Sequence, residues 1–258
     1  MQSVSDRLFG AAELFSRDSR EWKIPAKVAR VLAVSPFILA VVVAATVPFR
    51  DFYLWLVEED SLIEWMQFGC LVGAIVFLVV ITSRLLQRRH VGMAALYGAV
   101  ALGVLFLTGE EISWGQRIFG WGTPEALQEV NRQGETTVHN IRGVQEFVPY
   151  AMLLASLYGT CVPLWAAVRK RWKRSAASHL LVPPLCLVPA FGLAALYRLF
   201  RLVIWPTPTF VVSEYGEVME LSLYFGLAMF CWFNLRNMRR PRPETGLENL
   251  RQRAHRKS

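Results

Sequence analysis

The sequence predicts an all-α, polytopic transmembrane bundle of about six helices, with both termini in the cytoplasm. Hydrophobic residues make up 54% of the 258 positions, and the mean hydropathy is +0.33. Uncharged apolar stretches recur along the chain at lengths that a soluble domain rarely shows, and about 20 helical residues cross the hydrocarbon layer. Basic side chains are concentrated in alternate loops. These three observations leave no room for a soluble domain.

Six apolar stretches are the predicted spans. The sixth is short by itself and becomes long enough if the preceding turn, with Glu217 and Glu220, belongs to the helix. The first begins about thirty residues into the chain with no small-residue cleavage site after it, so we do not interpret it as a signal peptide. The stretches are 31–49, 65–83, 91–109, 147–168, 179–197 and 221–235.

The segments outside the spans define the rest of the organisation. Segment 1–30 mixes charges with large apolar residues, which predicts either an amphipathic helix on the membrane surface or a partly disordered tail. The bundle occupies 31–235 and carries a structured outer loop at 110–146. The basic tail 236–258 is expected to contact anionic membrane lipids. No feature of the chain indicates nucleic acid as a partner.

Loop charges predict the orientation in the membrane. Four segments on one side carry net charges of +2, +3, +5 and +6, whereas the three on the other side carry −4, −3 and −1. Because loops rich in Lys and Arg stay in the cytoplasm, the acidic side is expected to face outward, into the periplasm of a bacterium with the protein in its inner membrane. The net charge of +8 is then explained by the excess of Lys and Arg in the cytoplasmic segments. The positive segments are 1–30, 84–90, 169–174 and 236–258, and the negative ones are 50–64, 110–146 and 198–220.

Carboxylates gather at the predicted outer ends of three spans. Glu64 opens the second span, Glu110 and Glu111 end the third, and Glu217 and Glu220 open the sixth. Charged groups at a membrane boundary are costly to desolvate, so several together favour a functional site. The alternative is structural: arginines at the same helix ends would neutralise the acids and hold the bundle together.

The outer loop is long for a connector and contains a helix start at Thr123-Pro124-Glu125. His139 is the only histidine that the predicted topology places on the outer face. It is either a hydrogen-bonded interfacial side chain or a metal ligand or general base. The four cysteines lie in apolar stretches and are interpreted as small buried hydrophobic residues.

The string GEEISWGQRIFGW, followed by TPE, N-x-Q-x-E and HN, spans residues 109–140. It resembles a pattern in uncharacterised bacterial multi-pass membrane proteins, and EEDSLIEW flanks it more weakly. This resemblance implies the membrane fold but no activity. The chain is more loosely similar to the alkaline ceramidase-type membrane hydrolase superfamily, whose members have seven spans and a zinc site of histidines and an aspartate. Here we count six spans and find no H-x-x-x-H.

The leading interpretation is a membrane-embedded, metal-dependent hydrolase or transferase acting on a lipid or lipid-linked substrate. Carboxylates favour hard divalent cations such as Mg²⁺, Ca²⁺ or Mn²⁺, and one histidine would admit Zn²⁺ or Fe²⁺, so the identity of the cation stays open. The predicted metal ligands are Glu64, Glu110, His139, Glu217 and Glu220. The predicted catalytic residues are Glu110, Glu111, His139 and Gln116. The predicted substrate-binding residues are Trp114, Asn140, Arg198 and Arg201.

Two other interpretations stay open at the level of sequence. In a proton- or cation-coupled transporter the carboxylates would carry the coupling ion. Pro183, Pro184 and Pro189 are expected to break the fifth span, either as a hinge of such a transporter or as a simple kink packed by its neighbours. Against a transporter, the acids lie at helix ends and few polar residues occupy the centres of the spans. In a non-catalytic scaffold or assembly factor, a periplasmic partner would dock on the 116–146 loop.

Overall fold

The computed structural model describes residues 4–58, 61–125, 137, 144, 146–169, 176–207 and 209–238. Within these residues all regular structure is helical and no strand occurs. Six segments are long and apolar enough to cross a membrane, which confirms the predicted all-α, multi-pass fold. The helices are α1 Val4–Glu21, α2 Ala26–Ala44, α3 Arg50–Val57, α4 Leu62–Gln87, α5 Val91–Glu111, α6 Gln116–Phe119, α7 Val148–Val168, α8 Ala176–Leu181, α9 Val188–Val203, α10 Phe210–Glu214 and α11 Gly216–Met238.

The spans do not coincide with the apolar stretches, as the first and the last show. The first begins at Ala26 instead of residue 31, directly after Pro25, and includes Lys27 and Arg30 in its first two turns. Long basic side chains of this kind are tolerated near the end of a span because their apolar stems let the charge reach water. In the last span, α11 starts at Gly216 and includes the turn with the two glutamates, as the length argument required. The spans are Ala26–Ala44, Arg50–Gln87, Val91–Glu111, Val148–Val168, Ser178–Val203 and Phe210–Met238.

Helix α11 is the centre of the bundle. In its span 61% of the most apolar stretch is buried, compared with 22% in α5. It packs against α4, α9 and α2, while α5 pairs with α4 and α7 pairs with α9. The helices at the periphery of the bundle keep large apolar side chains on the surface, including Leu102 of α5 and Leu154 of α7, each 69% exposed. Such side chains are suited to contact lipid acyl chains.

Close packing between α7, α9 and α11 depends on two glycines around Phe191. The Phe191 ring on α9 occupies the place where a Cβ at Gly159 of α7 would stand. On its other side, a Cβ at Gly226 of α11 would lie 3.0 Å from the ring. Small residues allow membrane helices to approach closely, and van der Waals contact is the main attraction available to them within lipid.

The N-terminal segment forms helix α1, whose last turn is packed into the bundle. Trp22 follows α1 and is fully buried, with its ring edge-on to His179 at a centroid distance of 4.7 Å. The Arg236 guanidinium near the end of α11 donates to the Trp22 carbonyl at 2.8 Å. The end of α1 and the end of α11 therefore lie at the same end of the bundle.

The fifth span is broken between α8 and α9, where residues 182–184 are not helical and include two prolines. Prolines lack the N–H that would continue the helix, so neighbouring side chains must satisfy the freed backbone groups. The hydroxyls of Tyr97 and Tyr158 donate to carbonyls at the end of α8, at 2.7 and 2.5 Å. The Leu185 N–H donates to the Asp18 carboxylate of α1 at 2.7 Å. The predicted break is confirmed, and three helices support it.

Contacts across the bundle distinguish two ends. At the end where α4 and α11 begin and α5 stops, which we call the carboxylate end, the Tyr53 hydroxyl donates to the Val211 carbonyl at 2.7 Å. At the opposite end, which we call the basic end, Arg88 donates to the Met238 carbonyl at 2.9 Å. Which side of the membrane each end faces stays a prediction from the loop charges.

Candidate functional site

Four carboxylates from three helices, Glu217 and three that lie within its electrostatic reach, are grouped at the carboxylate end. We call this group the carboxylate cluster. Glu217 interacts electrostatically with Glu220 on its own helix, with Glu111 at the end of α5 and with Glu64 at the start of α4. The cluster lies among helices inside the bundle, since Glu217 and Glu220 are only partly exposed. The sequence-predicted residues Glu64, Glu111, Glu217 and Glu220 are thus brought together.

Local helix geometry sets the positions on α4. Ser61 caps the helix, and its hydroxyl accepts from the Glu64 N–H at 3.3 Å. An acidic residue in the first turn is favoured by the positive end of the helix dipole. Residues three apart share a helix face, so Gln67 lies one turn below Glu64 on the side that meets α11. The same spacing places Glu217 and Glu220 together on α11.

The Gln67 carboxamide links α4 to α11. Its Nε2 atom donates to the backbone carbonyl of Glu217 at 2.8 Å and to the Glu217 carboxylate at 3.0 Å. Gln67 is completely buried. The two bonds fix the Glu217 carboxylate against α4, and therefore fix the distance between the helices at the level of the cluster.

Tyr224, one turn after Glu220, extends the polar site towards α5. Its hydroxyl donates to the Glu111 carboxylate at 3.0 Å, and its side chain is almost completely buried. The hydroxyl also lies within electrostatic reach of Glu217 and Glu220. A neutral donor in this place orients the Glu111 carboxylate without adding charge.

Arg198 on α9 forms an ion pair with Glu220. Both side chains are largely buried, with 15% and 18% of their surface exposed. The same guanidinium contacts the Met152 sulfur on α7 at 2.9 Å. Arg201, one turn further along α9, lies within electrostatic reach of the Tyr197 hydroxyl. Of the two predicted substrate-binding arginines, Arg198 contacts the cluster through Glu220, whereas Arg201 lies near Tyr197.

A strained turn ends α5 directly after the two glutamates. Ser113, Trp114 and Gly115 have φ values of 47°, 54° and 85°, a left-handed conformation that only glycine adopts without cost. The turn folds the Trp114 indole back, so that its Nε1–H donates to the Glu110 carboxylate at 2.5 Å. A Cβ at Gly109 would lie 2.9 Å from the same ring, so the glycine makes room for it.

Other predicted site residues have different surroundings. Glu110 is buried and has Trp114 as a partner, whereas Gln116 donates to the Thr123 hydroxyl at 2.8 Å. His139 and Asn140 lie outside the described residues.

Backbone strain like that of Ser113 and Trp114 is found preferentially at functional sites. It therefore marks the turn between α5 and α6 as part of the candidate site.

The carboxylates of the cluster repel one another when they are ionised. Four carboxylates share one site, and the guanidinium of Arg198 pairs with one of them. Like charges close together in a partly desolvated site make ionisation of each group more costly, and a bound cation would offset this cost. Within the described part of the chain, no three His, Cys, Asp or Glu side chains are placed so that they could hold a metal ion by themselves. A cation at the cluster would therefore need oxygen ligands of another kind as well.

Sequence reasoning missed two members of the site, Gln67 and Tyr224. Gln67 is a polar residue inside an apolar stretch, three positions after Glu64, and a buried amide in a membrane span usually has a polar partner. Tyr224 follows Glu220 by four positions, which places both on one face. Both signals were present in the sequence, but the sequence does not show which helix Gln67 and Tyr224 face.

The six spans and the buried polar site define a multi-pass helical membrane protein. No protein-family model, no curated protein and no solved structure matches the chain. The likeness of segment 109–140 to bacterial multi-pass proteins stays a prediction.

Proposed function

We propose that the protein is a membrane-embedded enzyme that uses the carboxylate cluster and a divalent cation to hydrolyse or transfer a group of a lipid or lipid-linked substrate. The observation that carries this proposal is the meeting of Glu64, Glu111, Glu217 and Glu220 at one end of the bundle. Oxygen-rich sites of this kind suit hard divalent cations. Protons alone would neutralise the cluster but would supply no Lewis acid.

A cation held there would polarise a phosphoryl or acyl oxygen and lower the pKa of a bound water. Glu111, oriented by the Tyr224 hydroxyl, is suited to act as the general base. Arg198 lies beside the cluster and is suited to bind an anionic group of the substrate while its ion pair with Glu220 rearranges. Trp114 is 43% exposed and would contact the apolar part of the substrate.

The one-sided position of the site favours an enzyme over a transport pathway. All four carboxylates lie in the first two turns of α4 and α11 or the last turn of α5. Beyond Tyr224, residues 225–233 of α11 carry no charged side chain. By the loop-charge rule the carboxylate end faces the periplasm of a bacterial inner membrane, where a substrate would enter from the outer leaflet.

The test is the metal content of the protein purified in detergent, measured by mass spectrometry after equilibration with Mg²⁺, Mn²⁺, Ca²⁺ or Zn²⁺. We expect one cation per chain, lost in Glu217→Gln and Glu64→Gln, together with release of a water-soluble head group from bacterial lipid extract that is lost in Glu111→Gln. Glu58→Gln is the matched control, because Glu58 is an exposed acid near the same end. Folded wild-type protein that binds none of these cations at millimolar concentration would refute the proposal.

A proton- or cation-coupled transporter is the second candidate, favoured by the break in the fifth span. Discontinuous helices line substrate sites in many transporters. Here the break is at the basic end, because the Leu185 N–H at the break is bound to Asp18 of α1. An enzyme should turn over its substrate in detergent, whereas a transporter should act only across sealed vesicles.

A further inference from the structure

The carboxamide oxygen of Gln67, Oε1, has no hydrogen bond among the described residues. Both hydrogen bonds of Gln67 come from Nε2, and one of them goes to the Glu217 carbonyl. A backbone carbonyl only accepts, so the amide nitrogen must face it and the orientation of the amide is fixed. Among the described residues, the remaining atom, Oε1, is buried and has no hydrogen-bond partner.

A buried acceptor without a partner is unfavourable, and the rest of the side chain is well satisfied. In an amide the oxygen and nitrogen lie on the same carbon, so Oε1 is held close to the Glu217 carboxylate that Nε2 contacts. Neutral amide oxygens are regular ligands of Ca²⁺ and related hard cations. The amide oxygen would add a neutral ligand to the carboxylates of the cluster.

We infer that Gln67 is itself a ligand of the divalent cation, through Oε1, beside the carboxylate of Glu217. The Nε2–H bond to Glu217 then aligns the two groups, so that each presents its other oxygen to one ion. Glu64, three residues before Gln67 on the same face of α4, supplies a second carboxylate. This inference rests on the cation of the proposed function and adds an oxygen ligand that lies inside the span.

Mn²⁺ is the probe, because it accepts oxygen ligands and is detected by electron paramagnetic resonance. Titrations in detergent compare wild-type protein with Gln67→Leu, which removes both oxygen and nitrogen, and with Gln67→Glu, which keeps an oxygen ligand and removes the N–H donor. Thr82→Val is the matched control. Its hydroxyl is also buried without a partner among the described residues, on the same helix, roughly 22 Å further along at about 1.5 Å per residue.

We expect Gln67→Leu to weaken Mn²⁺ binding by roughly tenfold or more, while Gln67→Glu binds at least as tightly as wild type and Thr82→Val is unchanged. Wild-type affinity in Gln67→Leu would overturn the inference. An equal loss in the Leu and Glu variants would also overturn it, because Gln67 would then act only as a donor to Glu217. Each variant is first checked for a monodisperse elution profile and a cooperative thermal transition.

The two proposals fail in different ways. If wild-type protein binds Mn²⁺ and loses it in Glu217→Gln but not in Gln67→Leu, the cation site stands and the role of Gln67 falls. If folded wild-type protein binds no Mn²⁺, both fall. Binding that persists in Glu217→Gln and Gln67→Leu alike would place the ion away from the cluster, and would also refute both.

Discussion

Removing the Arg198 guanidinium should destabilise the bundle more than any loss of a surface charge. Arg198 pairs with Glu220 while both side chains are largely buried, 15% and 18% exposed. Glu220 also lies within electrostatic reach of Glu217. Removing one partner of a buried pair leaves an uncompensated charge and costs roughly 3–5 kcal/mol. We therefore expect Arg198→Met to lower the free energy of unfolding by about 3 kcal/mol.

A double-mutant cycle separates the ion pair from other effects of the substitutions. Glu220→Gln removes the acid, and the double variant removes both charges together with the attraction between them. We expect the double variant to be more stable than the sum of the single changes predicts, by about 2 kcal/mol. The exposed pair Arg17–Glu21 on α1, with side chains 60% and 35% exposed, is the control and should show a coupling of about 0.5 kcal/mol or less.

The assay is equilibrium unfolding in mixed micelles with increasing dodecyl sulfate, followed by far-ultraviolet circular dichroism in the presence of a chelator. The chelator keeps a bound cation from masking the loss of Arg198. A coupling energy for Arg198 and Glu220 no larger than that of the surface pair would refute the reasoning. In that case the guanidinium would contribute packing against Met152 and no electrostatic stabilisation.

Two further substitutions test the turn after α5 and the break in the fifth span. Gly109→Ala should displace the Trp114 ring, whose atoms would be 2.9 Å from the new Cβ, and lower stability by about 1–3 kcal/mol, measured as a fall in the thermal midpoint in detergent. Asp18→Ala should leave the Leu185 N–H without its acceptor and cost about 1–3 kcal/mol, measured by unfolding in mixed micelles.

Each of these substitutions has a control on its own helix. Gly103 on α5 has open space around the position of a Cβ, so Gly103→Ala should be neutral or stabilising by up to about 1 kcal/mol. If Gly109→Ala behaves in the same way, the Trp114 ring does not depend on the glycine. Glu13 on α1 is exposed, so Glu13→Ala should change little. If Asp18→Ala changes stability as little as Glu13→Ala does, the break in the fifth span is supported by other groups.

The sequence by itself determined the class of the molecule, because hydrophobic length and charge are properties of local segments. Stretches such as 91–109 had to be spanning helices, since the hydrocarbon layer satisfies no backbone groups. The prolines of the fifth span predicted its break for the same local reason. The grouping of acids at helix ends was also visible, because alternating spans bring those ends to one side of the membrane.

Tertiary structure decided which polar groups meet. Glu110 and Glu111 are adjacent in sequence, yet one accepts from Trp114 and the other from Tyr224. The Glu110 contact is local, because Trp114 follows four residues later and the left-handed turn folds its ring back. Tyr224 reaches Glu111 from α11, and sequence spacing does not predict that contact. Gln67 became part of the site only when α11 placed the Glu217 backbone within 2.8 Å of its amide. Local chemistry therefore selected the candidates, and helix packing selected the partners.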